Sequence, residues 1–437
     1  MNYVIFILIF IIAILSYNNL TKSYSFVLFL YLIMPSSMAF PFSVFGISFV
    51  FSVARSFLLG FIFAFIGNLV SGRLKIKFIR TTCDKILLFL ILYLFLSLSW
   101  GVNLDYDLKI IFSEPWLLGF LGYFISMNLF INKIIFLKLL KIIFIAIIII
   151  SFYGFLEIIT NKTITSFPII SSLTGLNLKT YEYIQTTIGS RGGYARASGT
   201  FWNNIIYGIA LTVFYPFFLI LRKTMKGKLL NLTLIISSIA GILTVSRTAW
   251  FSVFYAVGLN FKKYKALFIG LTVIFFLVLL PFLKTSFKED GYIDSTGYSI
   301  KSREVVLFPV LYDLQLQNKI LFGFGIGSYI YARQNVDNEI KIIRLPGDNS
   351  FAQQIFTIGV IGNILFLLFF LFYYFDLRKN TNKNDAFLFD IKTATSQMIL
   401  IQLTLFFVSN SLFQDPRLSF VFFSVLGAVK GTVMSKV

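Results

Sequence analysis

The chain has 437 residues, of which 58% are hydrophobic and 19% aromatic, and its formal net charge is +20. This apolar share excludes a soluble globular domain, and apolar runs of about 15–25 residues predict helices that cross a bilayer. Because the positive residues fall in short loops between these runs, the positive-inside rule accounts for the charge, and we expect no nucleic-acid partner.

The residue types that are missing limit the chemistry. The chain has no histidine and a single cysteine, Cys83, so an internal disulfide, a cysteine metal cluster and any Ser-His arrangement are excluded. A reaction would have to use Arg, Lys, Asp, Glu, Tyr, Ser or backbone groups. We expect no metal and no other cofactor.

The pattern predicts an all-α polytopic membrane protein, a single integral membrane domain over residues 1–437 with about 12 transmembrane helices. Residues 1–71 hold two to four spans, and the basic loop 72–85 is expected in the cytoplasm, as is the C-terminus. The remaining predicted spans are Ile86–Trp100, Pro115–Ile131, Ile134–Ile159, Ile205–Leu221, Leu229–Val245, Trp250–Leu259, Ala266–Leu283, Phe351–Phe375, Thr395–Phe413 and Leu418–Val429.

Two long loops, 160–202 and 284–350, are predicted to lie on the outer face, opposite the basic loops. The second is too long for a simple connector. Helical spacing of apolar residues predicts an amphipathic helix over 301–317, and a turn containing Gly323 and Gly325 follows it. The chain then re-enters the membrane after Asp348 and Asn349.

Four arginines do not follow the positive-inside pattern and lie on the predicted outer face: Arg191, Arg196, Arg247 and Arg303. Guanidinium groups gathered there suit a phosphate-bearing ligand, which they hold by bidentate hydrogen bonds. Three of them also have a plain interpretation: Arg247 as a membrane-interface anchor, Arg191 as an exposed loop charge, and Arg303 as part of a solvated helix face. Gly199 and Asn203, beside Arg196, are candidate supports of the same loop.

Asp348 is the best-placed carboxylate for a general base, since it stands at the start of a helix on the outer face. An aspartate in that position is also a favourable N-cap, which stabilises a helix by about 1 kcal/mol. The two roles are compatible, and the sequence leaves both open.

Several motifs occur in a characteristic order: R-x-S-G-T-F-x-N-N from Arg196, S-R-T-A-W around Arg247, a helix beginning near Arg303, G-F-G-I-G-S-Y from Gly323, and D-N-S-F from Asp348. In this order the sequence resembles the O-antigen polymerase and O-antigen ligase superfamily of bacterial surface-polysaccharide assembly. The resemblance covers residues 194–371 in detail and the rest by topology.

The resemblance implies a bundle similar to the C-type glycosyltransferases, in the bacterial inner membrane, with a large periplasmic loop over the catalytic cavity. It implies metal-independent glycan transfer between undecaprenyl-pyrophosphate-linked donor and acceptor, with a chain-length regulator as a further candidate partner. Arg196 and Arg247 would bind the pyrophosphate, and Arg303 would assist. In ligases the position that matches Asp348 looks like a histidine that activates the acceptor hydroxyl. Because this chain has no histidine, the resemblance favours a polymerase over a ligase that acts on lipid A core. A flippase for the lipid-linked oligosaccharide is the alternative from another class.

Overall fold

The computed structural model describes residues 2–34, 39–44, 47–101, 115–160, 190–191, 194–195, 197–201, 204–221, 228–244, 247–260, 310–312, 314–326, 328, 350–380, 385–408 and 415–434. Within these ranges the chain is predominantly helical. The helices are α1 (Asn2–Tyr17), α2 (Leu20–Ile33), α3 (Val53–Val70), α4 (Thr82–Leu96), α5 (Pro115–Leu129), α6 (Lys133–Thr160), α7 (Asn204–Thr212), α8 (Tyr215–Leu221), α9 (Lys228–Leu243), α10 (Arg247–Asn260), α11 (Ser350–Asn380), α12 (Ala386–Val408) and α13 (Pro416–Met434).

Two short antiparallel pairs depart from the expected all-α architecture. Strands β1 (Ala39–Val44) and β2 (Ile47–Ser52) pair with each other, as do β3 (Ser190–Arg191) and β4 (Tyr194–Ala195). The first pair lies inside residues 1–71, where we expect two to four spans interrupted by Pro35, Pro41 and Gly46. Its run A-F-P-F-S-V alternates aromatic and small residues, a period-2 signal that is weak beside the surrounding apolar helices.

Within the described ranges, five helical stretches are long and apolar enough to cross a membrane: α3, residues 82–100, α6, α11 and α13. Shorter apolar helices accompany them, including α2, α9 and the α7–α8 segment. The fold is therefore that of a helical membrane protein, and the number of twelve spans stays a prediction. The expected span Ala266–Leu283 lies outside the described residues.

The expected span Ile205–Leu221 is correct in position but is not one continuous helix. It consists of α7 and α8, which are separated by residues 213–214. Pro216 has no N–H to donate to the Thr212 carbonyl four residues earlier, so the helical ladder is interrupted there. The Thr212 hydroxyl donates to the Gly208 carbonyl within the same helix at 2.8 Å.

Helix α13 is the centre of the bundle. Of its most apolar 18-residue window, 89% is buried, against 39–50% for the other long helices. Glycines let α5 and α13 approach backbone to backbone: a Cβ on Gly427 would fall 2.1 Å from the Tyr123 carbonyl oxygen, and one on Gly122 would fall 2.5 Å from Ser424 Oγ. Small residues at helix crossings are typical of membrane bundles, where close packing drives association.

The connections between helices gather at two ends of the bundle. At the end that we name the basic end, the Arg73 guanidinium lies 4.8 Å from the Tyr17 ring, and Lys133 lies 4.1 Å from the Phe387 ring. At the opposite end, which we name the site end, the Thr200 hydroxyl donates to the Leu32 carbonyl at 3.0 Å. The described residues Arg73 and Lys133, from two loops that are predicted to share a side of the membrane, lie at one end, and the membrane topology stays a prediction.

Helix α11 is broken near the site end, inside the expected span Phe351–Phe375. Gly359 has φ 63° and ψ −169°, a region of backbone space that glycine alone readily adopts. The break frees two carbonyls that would otherwise accept helical hydrogen bonds. The turn of the G-F-G-I-G motif satisfies them: the Phe324 N–H donates to the Phe356 carbonyl at 2.8 Å, and the Gly325 N–H donates to the Thr357 carbonyl at 2.9 Å.

The same turn also takes up the N–H groups on the far side of the break. The Val360 N–H donates to the Ile320 carbonyl at 3.0 Å, and the Ile361 N–H donates to the Leu321 carbonyl at 3.1 Å. Four backbone groups released by the break thus find partners in one turn. This is the condition on which irregular backbone is tolerated at membrane depth.

Helix α4 holds this junction from the side. The Tyr93 hydroxyl lies 2.7 Å from the Ile358 carbonyl oxygen, and the Ile326 N–H donates to Ser97 Oγ at 3.1 Å. A Cβ on Gly325 would fall 2.7 Å from the Ser97 carbonyl oxygen, so a larger residue would push the turn away from α4. The two predicted support glycines, Gly323 and Gly325, both have positive φ, at 70° and 93°.

The break turns the start of α11 back toward α12. The Phe351 and Phe366 rings both contact the Phe406 ring, at 5.6 and 5.4 Å between centroids. Fifteen residues of straight helix would span about 22 Å, too far for one ring to contact both. Residues 350–358 therefore form a separate half-helix, and residues 360–380 are the part of α11 long enough to cross the bilayer.

The end of the predicted amphipathic helix packs on this half-helix. Residues 310–312 and 314–316 are helical, with Val310 and Leu314 buried and Tyr312 and Leu316 exposed. The buried pair joins a small cluster with Phe324, Ile355 and Phe356. The described part of the helix thus buries one face, and its amphipathic character stays a prediction, since residues 301–309 lie outside the described part.

We predict that Gly359→Ala lowers the thermal unfolding midpoint in detergent by several degrees. A Cβ there would lie 2.3 Å from the Leu321 carbonyl oxygen, and the positive φ adds strain of about 1–2 kcal/mol. The matched control is Gly241→Ala, where the nearest atom to the new Cβ is a Thr212 methyl carbon at 3.6 Å. Equal midpoints for the two variants would contradict the proposed role of the break.

Candidate functional site

The candidate site is built around residues 197–201, which we name the site segment. These residues belong to the R-x-S-G-T-F-x-N-N motif and connect β4 to α7, with Gly199–Phe201 forming one turn of 3₁₀-helix. The segment is not a surface loop, since all five of its residues are buried. A buried connection must find partners for its backbone polar groups, and two charged side chains supply them here.

The first charged partner is Glu157, in the last turn of α6. Its Oε2 accepts the Ser198 and Gly199 N–H groups, each at 2.7 Å, and its Oε1 lies 3.3 Å from the Ser198 hydroxyl. The carboxylate is only 5% exposed. Hydrogen bonds to a buried ionised carboxylate are short and strong, so Glu157 fixes this turn of the segment.

Gly199 is required in this position for two reasons. Its φ is +53°, where a residue with a Cβ is strained. A Cβ would also fall 2.6 Å from the Tyr207 ring, which packs across the segment from α7. Gly199 is therefore needed where the backbone closely approaches an aromatic ring, and its support of the Arg196 loop stays a prediction.

The second charged partner is Arg417, in the first turn of α13. Its Nη1 donates to the Thr200 carbonyl at 2.9 Å and to the Met34 carbonyl at 3.2 Å, and its guanidinium lies 4.3 Å from the Phe201 ring. Its Nη2 donates to Asp415 Oδ2 at 3.1 Å. Arg417 therefore ties the segment to the ends of α2 and α13.

Arg55 adds a further cation at the same end. Ring contacts of Tyr24 with Phe61 and of Phe26 with Phe57 set α2 and α3 antiparallel. This register places Arg55, in the first turn of α3, opposite Tyr31 in the last turns of α2. Neither Arg55 nor Arg417 was among the arginines singled out from the sequence, because an arginine near a helix end is usually an interface anchor.

The structure describes some of the predicted site residues fully, some by their backbone alone, and others not at all. Gly199 lies in the site segment, and Gly323 and Gly325 lie in the turn at the α11 break. For Arg191 and Arg247 only the backbone is described: Arg191 pairs with Tyr194 in the β3–β4 hairpin, and Arg247 is the first residue of α10. The residues outside the described part of the chain are Arg196, Asn203, Arg303, Asp348 and Asn349.

The start of α10 faces the site end. Tyr215 and Ser238 hydroxyls lie 2.6 Å apart, and a Cβ on Gly241 would contact Thr212, so α9 runs antiparallel to α7 and α8. Helix α9 consequently ends, and α10 begins at Arg247, toward the end where α7 starts. The backbones of the site segment and of Arg247 thus lie at one end of the bundle.

A second buried charged cluster was missed entirely by the sequence reasoning. The Lys430 Nζ lies 2.8 Å from Asp84 Oδ1, 2.7 Å from Cys83 Sγ and 3.5 Å from Asp376 Oδ2, and it also contacts the Thr81 hydroxyl. The Lys430 side chain is 1% exposed and that of Asp84 is fully buried. The cluster joins α4, α11 and α13 at the basic end.

Asp84 has a local structural role that explains its position. Its Oδ2 accepts the Arg80 and Thr81 N–H groups at 2.8 and 2.9 Å, which caps the start of α4. Burial lowers the pKa of Arg80, whose chain segment leads into this cap, and the Asp84 charge opposes that change. The cluster pairs one lysine with two aspartates and holds helix ends together.

Comparison of the sequence with models of known protein families and with curated proteins finds no match. The family resemblance therefore stays a hypothesis, and the function has to be argued from the residues and their geometry.

We predict that Glu157→Ala accelerates amide hydrogen exchange in the peptide that contains Ser198 and Gly199. The change leaves two buried N–H groups without their acceptor, which costs about 1–3 kcal/mol for each group. Thr160→Ala, at the exposed end of the same helix, is the control and should leave the exchange unchanged. Unaltered exchange in Glu157→Ala would show that the carboxylate does not fix the segment.

Proposed function

We propose that the chain is a glycosyltransferase that polymerises a bacterial surface polysaccharide from polyprenyl-pyrophosphate-linked repeat units. In the proposed reaction, the acceptor hydroxyl oxygen bonds to the anomeric carbon of the donor. The bond between that carbon and the diphosphate oxygen breaks, the hydroxyl gives up its proton, and the lipid diphosphate leaves with the electron pair. Negative charge develops on the departing diphosphate, which is where cationic groups lower the barrier.

The observation that carries the proposal is the anchoring of the site segment by Glu157 and Arg417. The segment directly follows Arg196, the first arginine of the motif that resembles the polymerase family. A simple connector would not need a buried carboxylate and a buried guanidinium to form hydrogen bonds with its backbone. Such anchoring suits a segment that must hold an adjacent side chain in a fixed place against a ligand.

A second observation supports the same proposal. The G-F-G-I-G turn and the half-helix after D-N-S-F, two further motifs of the resemblance, are hydrogen-bonded to each other across the Gly359 break. In the proposed mechanism Asp348, two residues before the half-helix, orients or deprotonates the acceptor hydroxyl. In this proposal, the hydrogen-bonded junction would keep the start of the half-helix, and with it Asp348, in a fixed position.

The proposed roles of the arginines follow from the family resemblance and from their charge. Arg196 and Arg247 would hold the pyrophosphate, Arg303 would assist from the large loop, and Arg191 would be an auxiliary contact. Guanidinium groups suit this task because their planar fork matches phosphate oxygens bidentately. The acceptor is a second lipid-linked repeat unit, and both lipids would enter from the bilayer.

The flippase alternative predicts a different location for the buried charges. A transporter is expected to place ionisable groups along a path near the bilayer midplane. Asp84 instead lies in the first turn of α4, and Asp376 and Lys430 each lie four residues before the end of their helices, at the basic end. This position favours a structural role, in which the charged groups hold helix ends together, over a role in a transport path.

The ligase alternative shares the donor site and differs only in its acceptor. Supplying purified lipid-linked repeat units with and without lipid A core separates the two by product size. A polymerase lengthens the glycan when repeat units alone are present.

We predict that Arg247→Ala abolishes long-chain polysaccharide in cells while the single-repeat glycolipid persists, because the leaving diphosphate loses a cationic partner. Arg247→Lys should also be poor, since an ammonium group lacks the bidentate fork. The measurement is gel separation of extracted polysaccharide, with membrane expression of each variant verified. Normal chain length in a well-expressed Arg247→Ala variant would contradict the assignment.

A further inference from the structure

Three buried amide side chains carry polar atoms that the fold leaves without partners. Within the described part of the chain, neither amide atom of Gln354 or Gln402 makes a hydrogen bond. The Asn363 Oδ1 is also unpaired, although its Nδ2 donates to the Gly359 carbonyl at 2.7 Å. Gln402 is 1% exposed, Asn363 4% and Gln354 6%. Buried polar groups are normally hydrogen-bonded, so these five atoms need an explanation.

The three amides adjoin one group of aromatic rings. The Phe406 ring of α12 contacts both the Phe351 ring of the half-helix and the Phe366 ring of α11 beyond the break. Each ring has one of the amides three or four residues away on its own helix. Residues at that spacing share a helix face, so the amides and the rings gather in the same region. The pairs are Phe406 with Gln402, Phe351 with Gln354, and Phe366 with Asn363.

The hydrogen-bonding character of the unpaired atoms limits the kind of ligand. Two of them are amide nitrogens, which only donate, and three are amide oxygens, which only accept. An ionised phosphate oxygen only accepts, so an anion would leave the amide oxygens without partners. A cation does not accept, so it would leave the amide nitrogens without partners. A hydroxyl group both donates and accepts, and several hydroxyls on one molecule can pair with all five atoms.

We propose that Gln354, Gln402 and Asn363 form a subsite for a neutral ligand with several hydroxyl groups, namely a sugar of a glycan. The Gln354 and Gln402 Nε2 atoms donate to sugar oxygens, and the three amide oxygens accept from sugar hydroxyls. The half-buried Phe351 ring supplies an apolar wall for the C–H face of the sugar. Such a subsite selects a sugar by the positions of its hydroxyl groups, because a missing hydroxyl leaves a buried amide unpaired.

The sugar bound here belongs to the acceptor glycan, an identification that rests on the proposed function. Gln354 follows Asp348 by six residues, and in the proposed mechanism Asp348 orients the acceptor hydroxyl. Arg196 and Arg247, which would hold the donor pyrophosphate, belong to other segments of the chain. The amides therefore determine which sugar presents its hydroxyl to Asp348, and they are specificity residues that take no part in bond making.

The test measures glycan binding to the full-length protein in lipid nanodiscs by saturation-transfer NMR. The probes are oligosaccharides released by mild acid from the polyprenyl-linked glycolipids of the source cells. We expect Gln354→Met and Gln402→Met each to weaken binding of the recognised oligosaccharide about tenfold, because methionine keeps the length of glutamine and removes its hydrogen bonds. Binding of sugar-free polyprenyl diphosphate should stay unchanged. The permethylated oligosaccharide, which has no hydroxyl to donate, should bind the parent protein weakly.

Gln397→Met, on the same helix as Gln402, is the matched control. The Gln397 Nε2 donates to the Leu259 carbonyl at 3.5 Å, so this change should lower the thermal unfolding midpoint and leave glycan binding unchanged. The midpoint should not fall in Gln354→Met or Gln402→Met, because these amides have no protein partner to lose. A fall of several degrees in either would reveal such a partner and overturn the subsite.

Three further results would overturn the subsite: no released oligosaccharide binds the parent protein, the permethylated form binds equally well, or both methionine variants bind as the parent does. The last result would leave the amides to bound water alone. If an oligosaccharide binds through these amides while the reconstituted parent chain makes no polymer, the proposed function fails and the subsite stands. If polymer forms and both variants bind as the parent does, the subsite fails and the proposed function stands.

Discussion

The anchoring of residues 197–201 by one carboxylate and one guanidinium is the interaction on which the site depends. Glu157 takes two N–H groups of this segment and Arg417 takes its Thr200 carbonyl, all inside the bundle. A buried charge is costly unless it is well hydrogen-bonded. The two side chains therefore need the backbone groups of the segment as partners, and these hydrogen bonds hold the segment in place. Through them the ends of α2, α6 and α13 converge on one short stretch of backbone.

At the Gly359 break, backbone polar groups of a helix likewise need hydrogen-bond partners inside the bundle. Four backbone groups released within the membrane domain are taken up by one glycine-containing turn, and α4 secures the junction through Tyr93 and Ser97. The half-helix 350–358 is thereby held at a fixed angle to the rest of α11. Both the anchored segment and the broken helix lie at the site end, while the Lys430 cluster ties the helices together at the other end.

The sequence predicts the helices well because long apolar runs leave few alternatives in a bilayer. It also identifies Gly199, Gly323 and Gly325, since glycine in a motif signals unusual backbone. It cannot predict partners that are remote in the chain: Glu157 meets Ser198 from 41 residues away, and Arg417 meets Thr200 from 217 residues away. The β1–β2 pair and the Gly359 break were missed because hydropathy does not distinguish a broken apolar run from a continuous one.

Reconstitution tests the central claim most directly, with purified protein in proteoliposomes supplied only with a polyprenyl-diphosphate-linked repeat unit and a chelator. Our account predicts a ladder of lipid-linked products that differ by one repeat unit, with one polyprenyl diphosphate released at each step. Folded protein that leaves the repeat unit at its original size would contradict it.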